Sequence, residues 1–351
     1  MVKRYGYLWK RVIERSNLEL AFDNACDGHR YKRQVLEACA RRKDFLDHVE
    51  MLLRTKTYKS GEYRAQTIHE RGKTRIVYDT DFIHRVIHHA LMNILKPILM
   101  ESIGHHSFAA MQGRGSHQAL ELTKKDLQED PEGTRYCFQF DIRQFFPTIP
   151  KKGMVEALNR KIKDPDVQWL YKEIIFGFPY DGLPIGNYTS QYFANYYLSR
   201  LDHFLKAEFH AKHARHYMDN YIIFGKTTAW LRRVKKRVVQ LLEEMGLELK
   251  KDWQIYKVGD RRPVDFVGYR MYRDSKGQVY TLLRKRTVKA LKHVCKEAER
   301  FIFEHGLPDK HIMGSLHSYQ GVLGWGNCYN LGRKTVYKIL DYTGGKEYGN
   351  L

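Results

Sequence analysis

Cysteine is scarce in this chain. Its five residues, Cys26, Cys39, Cys137, Cys295 and Cys328, are odd in number, scattered over 351 positions and without a C-x-x-C pair. That excludes a disulfide framework and points to reduced thiols in a cytosol. No apolar run approaches the roughly 18 residues of a membrane span, and the opening Met1-Val2-Lys3-Arg4-Tyr5 has no apolar signal-peptide core. The expectation is a soluble, unexported, cytoplasmic protein with no membrane contact. The 17 histidines do not suggest structural zinc, because the closest clusters (His84, His88, His89; His105, His106) lack cysteine partners at ligand spacing. Acids are in deficit: Asp+Glu 40 against Lys+Arg 61, a formal charge of +21. A surplus of that size implies a polyanionic partner, nucleic acid before a membrane surface, since each phosphate contact releases counterions. Internal repeats and low-complexity linkers are absent too, so the lobes should pack as one unit. At 43% hydrophobic, with abundant Tyr, Phe and Ile, the chain is not disordered.

Two stretches organise what remains. In His216-Tyr217-Met218-Asp219-Asn220-Tyr221-Ile222-Ile223-Phe224 a carboxylate sits at a bend between β-prone flanks. The Asp-Asn pair tolerates the positive φ of a two-residue turn, which reads as a hairpin. Alone, it could be an ordinary turn. Upstream, Phe138-Gln139-Phe140-Asp141-Ile142-Arg143-Gln144-Phe145-Phe146 reads as a second apolar strand delivering an acid. Two acids from separate strands in a basic protein suggest metal-assisted phosphoryl transfer on nucleic acid.

The rest supplies context. Helices are expected within residues 5–56, with Ser16 capping Leu18–Ala25 and Phe45, Val49, Leu52 and Leu53 forming one stripe. Tyr63–His69 and Thr74–Tyr78 alternate like strands about a Glu70–Lys73 turn, carrying Lys73 and Arg75 on a basic finger, or on a merely solvated one. Asp79 or Asp81 should cap a core helix from Ile83 to Leu95 that stops before Pro97. Gly113-Arg114-Gly115 leads into a Ser116-capped helix, a setting suited to phosphate. A helix is expected over Lys151–Lys161, and Gly182–Gln191 is a tight loop opening a long helix. Thr227 or Thr228 should cap a basic amphipathic helix closed by Gly246; Gly246–Lys250 and Val264–Tyr269 read as strands. Residues 284–305 form a basic helix, and 311–340 are helical with breaks at Gly321, Gly324 and Gly326.

In this order the motifs resemble a reverse transcriptase, over roughly residues 60–280. Leu183-Pro184-Ile185-Gly186-Asn187-Tyr188-Thr189-Ser190-Gln191 looks like the I-G-x-x-x-S-Q signature of diversity-generating retroelement enzymes, within a superfamily that includes retron and group II intron types. The resemblance implies an α+β right-hand polymerase. Its N-terminal helices and fingers would span 1–134, its palm of antiparallel sheet backed by helices 135–280 with an insertion at about 151–182, and its helical thumb 281–351.

It also implies two Mg²⁺ ions, with Mn²⁺ as substitute, held by Asp141, Asp219 and the Ile142 carbonyl. Lys73, Arg75 and Arg114 match positions that neutralise the triphosphate. Phe146 falls where the family places an aromatic plate under the deoxyribose. Ile185, Gly186 and Gln191 belong to the nucleotide-binding loop, and Tyr217, Met218 and Lys250 to the primer and template. The implied partners are template RNA, cDNA, dNTPs and a basic, pentameric accessory variability protein. Two departures stand out: Ile185 replaces a glutamine that checks base-pair geometry, which implies errors opposite template adenines, and Asn220 replaces a second catalytic aspartate, which implies weakened metal binding. Met111 stands where close relatives often have Arg. The rival readings are a retron, group II intron or abortive-infection type polymerase, and a catalytically silent RNA-binding scaffold.

Overall fold

In the computed structural model the described residues are 3–70, 73–111, 113–306 and 308–343, and among them nine strands are interspersed with helices. The strands are β1 (Arg64–Glu70), β2 (Lys73–Asp79), β3 (Tyr136–Asp141), β4 (Ala214–Tyr217), β5 (Asn220–Gly225), β6 (Gln254–Lys257), β7 (Val264–Phe266), β8 (Tyr269–Arg273) and β9 (Val279–Leu283). They form an antiparallel β1-β2 ribbon, a four-stranded sheet ordered β4-β5-β3-β6, and a three-stranded sheet ordered β7-β8-β9. The fold is therefore α+β. The chain divides into two compact units: Met1–Met111, Phe140–Tyr221 and Arg233–Trp253 in the first, and Gln112–Gln139, Ile222–Arg232 and Gln254–Leu351 in the second.

The first unit is built on the helix Phe82–Met100, which buries Val86, Ile87, Ala90, Leu91, Leu95 and Leu99 against the helices Arg15–Cys26 and Tyr188–Phe209. Buried Asn17 satisfies its amide on the Val12 and Ala90 carbonyls, at 2.8 and 3.0 Å, and so ties two helices together without an orphaned polar group. The second unit pairs β7 to β9 with the helices Ser116–Glu129, Lys285–His305, Lys310–Gly324 and Val336–Thr343. Arg273 is buried there and donates to Thr134 Oγ1 at 2.8 Å and to the Leu127 carbonyl at 3.3 Å. Among the described residues no helix is long and apolar enough to cross a membrane, and all five cysteines are free.

Several expectations need correction. Ser16 lies inside the helix Arg15–Cys26, whose N-cap is Glu14. The core helix runs through Pro97 to Met100, and its N-cap Asp81 makes no capping bond. The helix after Arg114 starts at Ser116 itself, with Gly115 at the cap. Gly246–Lys250 forms no strand, only an isolated bridge between Leu249 and Ile142. Gly321 does not break its helix, which ends at Gly324. The capping assignment of Thr227 holds: its Oγ1 accepts the Trp230 amide at 3.2 Å, and Gly246 closes that helix region at φ +70°.

Candidate active site

β3 ends on Asp141, and Asp219 directly precedes β5. The Ile142 amide donates to the Asp219 carbonyl at 3.1 Å, and the Lys250 amide donates to the Asp141 carbonyl at 2.9 Å. Three segments far apart in sequence thus meet at one end of the sheet, inside the first unit. Asp141 and Asp219 are half-buried, Ile142 is buried and Lys250 is exposed.

Asn220 opens β5 and is half-buried. Its Nδ2 donates to Asp141 Oδ1 at 2.9 Å, while its Oδ1 is buried without a partner. This orphaned oxygen beside two carboxylates makes an all-oxygen donor set suited to a hard divalent cation. The residues present therefore fit the implied metal. The described residues contain no group of three or more His, Cys, Asp or Glu side chains able to hold an ion; the third oxygen here is that of an amide. The Lys250 ammonium is held above its ordinary pKa by its hydrogen bond to Asp252, 2.5 Å away, with Asp141 and Asp219 adding to the effect.

The turn differs from the Asp-Asn expectation. Met218 adopts the left-handed conformation (φ 53°) and the two turn residues are Met218 and Asp219, so Asn220 is already in the strand. Behind the turn, His216 is fully buried, with Nδ1 2.8 Å from the Met218 carbonyl and Nε2 3.0 Å from Asp202 Oδ2. Tyr221 donates to the other Asp202 oxygen at 3.3 Å and stacks on both His216 (4.4 Å) and Phe140 (5.0 Å).

The strand expected through Phe146 stops at Asp141. Gln144 is left-handed (φ 42°), and Phe145–Thr148 is a short helix. Phe146 is half-buried, and its carbonyl accepts the Leu183 amide at 2.8 Å. Gly182 (φ +74°) makes this possible: a Cβ there would sit 2.2 Å from the Phe146 carbonyl oxygen. Further on, the Ile185 carbonyl accepts the Tyr78 amide of β2 at 2.7 Å, and at Gly186 (φ +121°) a Cβ would meet the Tyr78 oxygen at 2.4 Å. The Ile185 loop is thereby fastened to the strand that carries Arg75. Gly186, Asn187 and Gln191 line a cavity of about 160 Å³ with Tyr78, Arg85 and His88.

Arg75 is exposed on β2, and the Lys73 side chain and the turn residues Arg71 and Gly72 lie outside the described residues. Tyr217 is exposed and Met218 half-buried at the turn. Arg114 is half-buried in the loop before Ser116, in the second unit. Sequence reasoning gave no role of their own to His216 and Asp202, and read Gly182 only as the start of a tight loop. Asp202 carried a readable signal, an acid within the apolar run of the helix Tyr188–Phe209.

An α+β chain that brings aspartates from neighbouring strands to one end of a central sheet has the organisation of a right-hand polymerase palm. Residues 59–271, more than half of the chain, match the family profile described as "Reverse transcriptase (RNA-dependent DNA polymerase)", and the chain belongs to that family. It is similar to Protein YkfC of Escherichia coli (strain K12), 25% identical over 171 residues that cover 45% of this chain and 45% of that protein. It is also similar to the "Uncharacterized 91 kDa protein in cob intron" of Schizosaccharomyces pombe, 29% identical over 140 residues, 36% of this chain and 17% of that protein. The chain spans less than half the length of these curated relatives. Among solved structures, apo telomerase from Candida tropicalis truncated from its C-terminal domain aligns with a TM-score of 0.44 and 12% identity, over 63% of this chain and 55% of that one.

Proposed function

We propose that this chain is an RNA-directed DNA polymerase that copies a retroelement RNA into error-prone, adenine-mutagenised cDNA. The carrying observation is the junction of Asp141 and Asp219, tied backbone to backbone through Ile142, with the unpartnered Asn220 oxygen beside them. Asp141, Asp219 and the Ile142 carbonyl hold the divalent ions. There Mg²⁺, or Mn²⁺ in its place, would supply Lewis acidity toward the primer 3′-hydroxyl and charge neutralisation toward the pyrophosphate. Lys73, Arg75 and Arg114 bind the triphosphate as point charges and guanidinium forks. Phe146, supported from behind by Gly182 and Leu183, crowds a ribose 2′-hydroxyl and so selects deoxynucleotides. Tyr217, Met218 and Lys250 lie along primer and template, and Gly186 and Gln191 along the nucleotide.

The mutagenic subtype rests on Ile185-Gly186 through Ser190-Gln191. An apolar Ile185 cannot make the hydrogen bond that would reject distorted pairs. In that setting the partners are template RNA, cDNA, dNTPs and a pentameric basic accessory protein. The proposed division is fingers over 1–134, palm over 135–280 and thumb over 281–351. Asn220 favours a second reading, an RNA-binding scaffold without chemistry, and the intron-encoded relative favours a group II intron type enzyme. Primer extension on an RNA template with Mg²⁺ tests the proposal: extension excludes the scaffold, and sequencing the cDNA for adenine-specific errors separates the mutagenic from the intron type.

A further inference from the structure

We infer that Asp202 and His216 form a buried ion pair whose task is to hold the left-handed Met218 turn, and that through this turn they set the position of Asp219 for metal. The inference rests on the proposed reading of Asp141 and Asp219 as metal ligands.

The argument begins with donor counting. Both ring nitrogens of His216 face acceptors, the Met218 carbonyl at 2.8 Å and the Asp202 carboxylate at 3.0 Å. A neutral imidazole has one N–H and could serve only one of them; an imidazolium serves both. The His216 and Asp202 side chains are 0% and 3% exposed, so the pair lies out of bulk water. A buried carboxylate needs a cation or several donors, and Asp202 has both the imidazolium and the Tyr221 hydroxyl, 3.3 Å from Oδ1. Burial pulls the His216 pKa down, but Asp202, the Met218 carbonyl and Asp219 together hold it above its ordinary value.

The turn needs such a hold. Met218 is a non-glycine residue at φ 53°, a conformation that crowds Cβ and persists where surroundings impose it. The bond from His216 Nδ1 fixes the orientation of the Met218 carbonyl, and with it the peptide plane that leads into Asp219. His216 is itself anchored: its amide donates to the His106 carbonyl at 2.9 Å, and its carbonyl accepts the Phe108 amide at 3.3 Å. The planes of His216 and Tyr221 lie within 6°, and those of Tyr221 and Phe140 within 3°, so the support reaches from the helix bearing Asp202 to the strand bearing Asp141. His216 and Asp202 are positioning residues and touch no reacting atom.

The test follows Mn²⁺ binding by electron paramagnetic resonance, alongside steady-state primer extension. Asp202→Asn keeps size but removes the charge that favours the imidazolium, and with it the charge-assisted bonds that fix the turn. The variant should show kcat lowered about tenfold or more, the scale of a small misplacement of a reacting group. Mn²⁺ affinity should fall, with RNA affinity and the KM for dNTP unchanged. Adding Met218→Gly, which adopts positive φ without crowding, should restore Mn²⁺ affinity to Asp202→Asn. Unchanged Mn²⁺ affinity in a folded Asp202→Asn would overturn the inference. So would failure of the glycine to restore it, since the pair would then act elsewhere than through the turn. If Asp202→Asn alone does not fold, the double variant decides: recovery of fold and Mn²⁺ binding supports the inference, and no recovery overturns it. A parent that binds Mn²⁺ but extends no primer refutes the polymerase reading alone; a parent that binds none refutes both.

Discussion

Asn220 Nδ2 donates to Asp141 Oδ1 at 2.9 Å, so on the proposed reading, in which 220 is the place of a second aspartate, the residue spends its amide on the first acid. A carboxylate at 220 could not make that bond at neutral pH; it would add a charged oxygen ligand instead. Asn220→Asp should therefore raise primer extension, by about tenfold at limiting Mg²⁺ and less at saturation, given how steeply ligand charge tunes divalent affinity. Without metal the same change places like charges side by side and should lower the melting temperature, with Mg²⁺ restoring it. Melting curves with and without Mg²⁺, together with extension over a Mg²⁺ series, check both outcomes. No gain at any Mg²⁺ level would show that the amide is not the limiting feature.

Phe146 is held from behind by the Leu183 amide, and Gly182 leaves no room for a Cβ. Phe146→Ala should raise ribonucleotide incorporation relative to deoxynucleotide by about tenfold or more, the scale of a pocket-filling group. Gly182→Ala meets both positive φ and backbone contact, and should cost about 1–3 kcal/mol of stability. Competitive incorporation assays and denaturant melts measure the two effects. Unchanged sugar selectivity in Phe146→Ala would remove the ring from that role.

On the proposed function, Ile185 stands where a hydrogen-bonding side chain would check the base pair. Ile185→Gln should lower misincorporation opposite template adenine by about tenfold, the scale of one hydrogen bond, while errors opposite other bases move less. Sequencing of cDNA made on a defined RNA gives both frequencies. Equal adenine errors in parent and variant would refute the assignment.

His88 and His89 are buried in the core helix, with His88 Nε2 and both His89 ring nitrogens unpartnered among the described residues. Burial first, then neighbouring charge from His84, His89 and Arg85, pushes His88 down to about 3. Burial, then Arg85 and His29, pushes His89 down to about 4. The unfolded chain takes up protons near pH 6.5 that the folded chain refuses, so stability falls with pH below that point. From pH 7 to pH 5 each contributes a loss of about 2 kcal/mol by linkage. His216 runs the other way: its raised folded value makes its contribution full below 6.5 and lost as pH rises through that value. Urea unfolding at pH 5 and 7 should show the loss, and His88→Leu should remove its share, about 2 kcal/mol; an unchanged slope would mean that His88 titrates normally.

The meeting of Asp141 and Asp219 at one end of the sheet was legible because β-prone flanks bracket a single carboxylate in each case, a local pattern that needs no tertiary information. The helix Lys151–Lys161 was legible with its boundaries, set by Pro150 and by the basic last turn. Other features depend on partners distant in sequence. The left-handed residue at the hairpin is Met218, not the Asp-Asn pair, because His216 and Asp202 impose it from behind. Phe145 and Phe146 carry strand propensity, yet left-handed Gln144 turns them into a short helix. β6 is only four residues long, too short to show a period before it pairs with β3. The helix Pro165–Phe176 did carry a signal that went unread, Asp164 capping the Asp166 and Val167 amides just before Pro165.

On the roles proposed for Ile185 and Arg75, the bond from the Tyr78 amide to the Ile185 carbonyl, with Gly186 pressed against the same residue, is a mechanical joint between copying accuracy and substrate grip. A side chain at 185 cannot be repositioned without tugging on the ribbon that carries Arg75. Proofreading stringency and nucleotide affinity are then two ends of one lever, and variants selected for cleaner copying should also show an altered appetite for correct substrate.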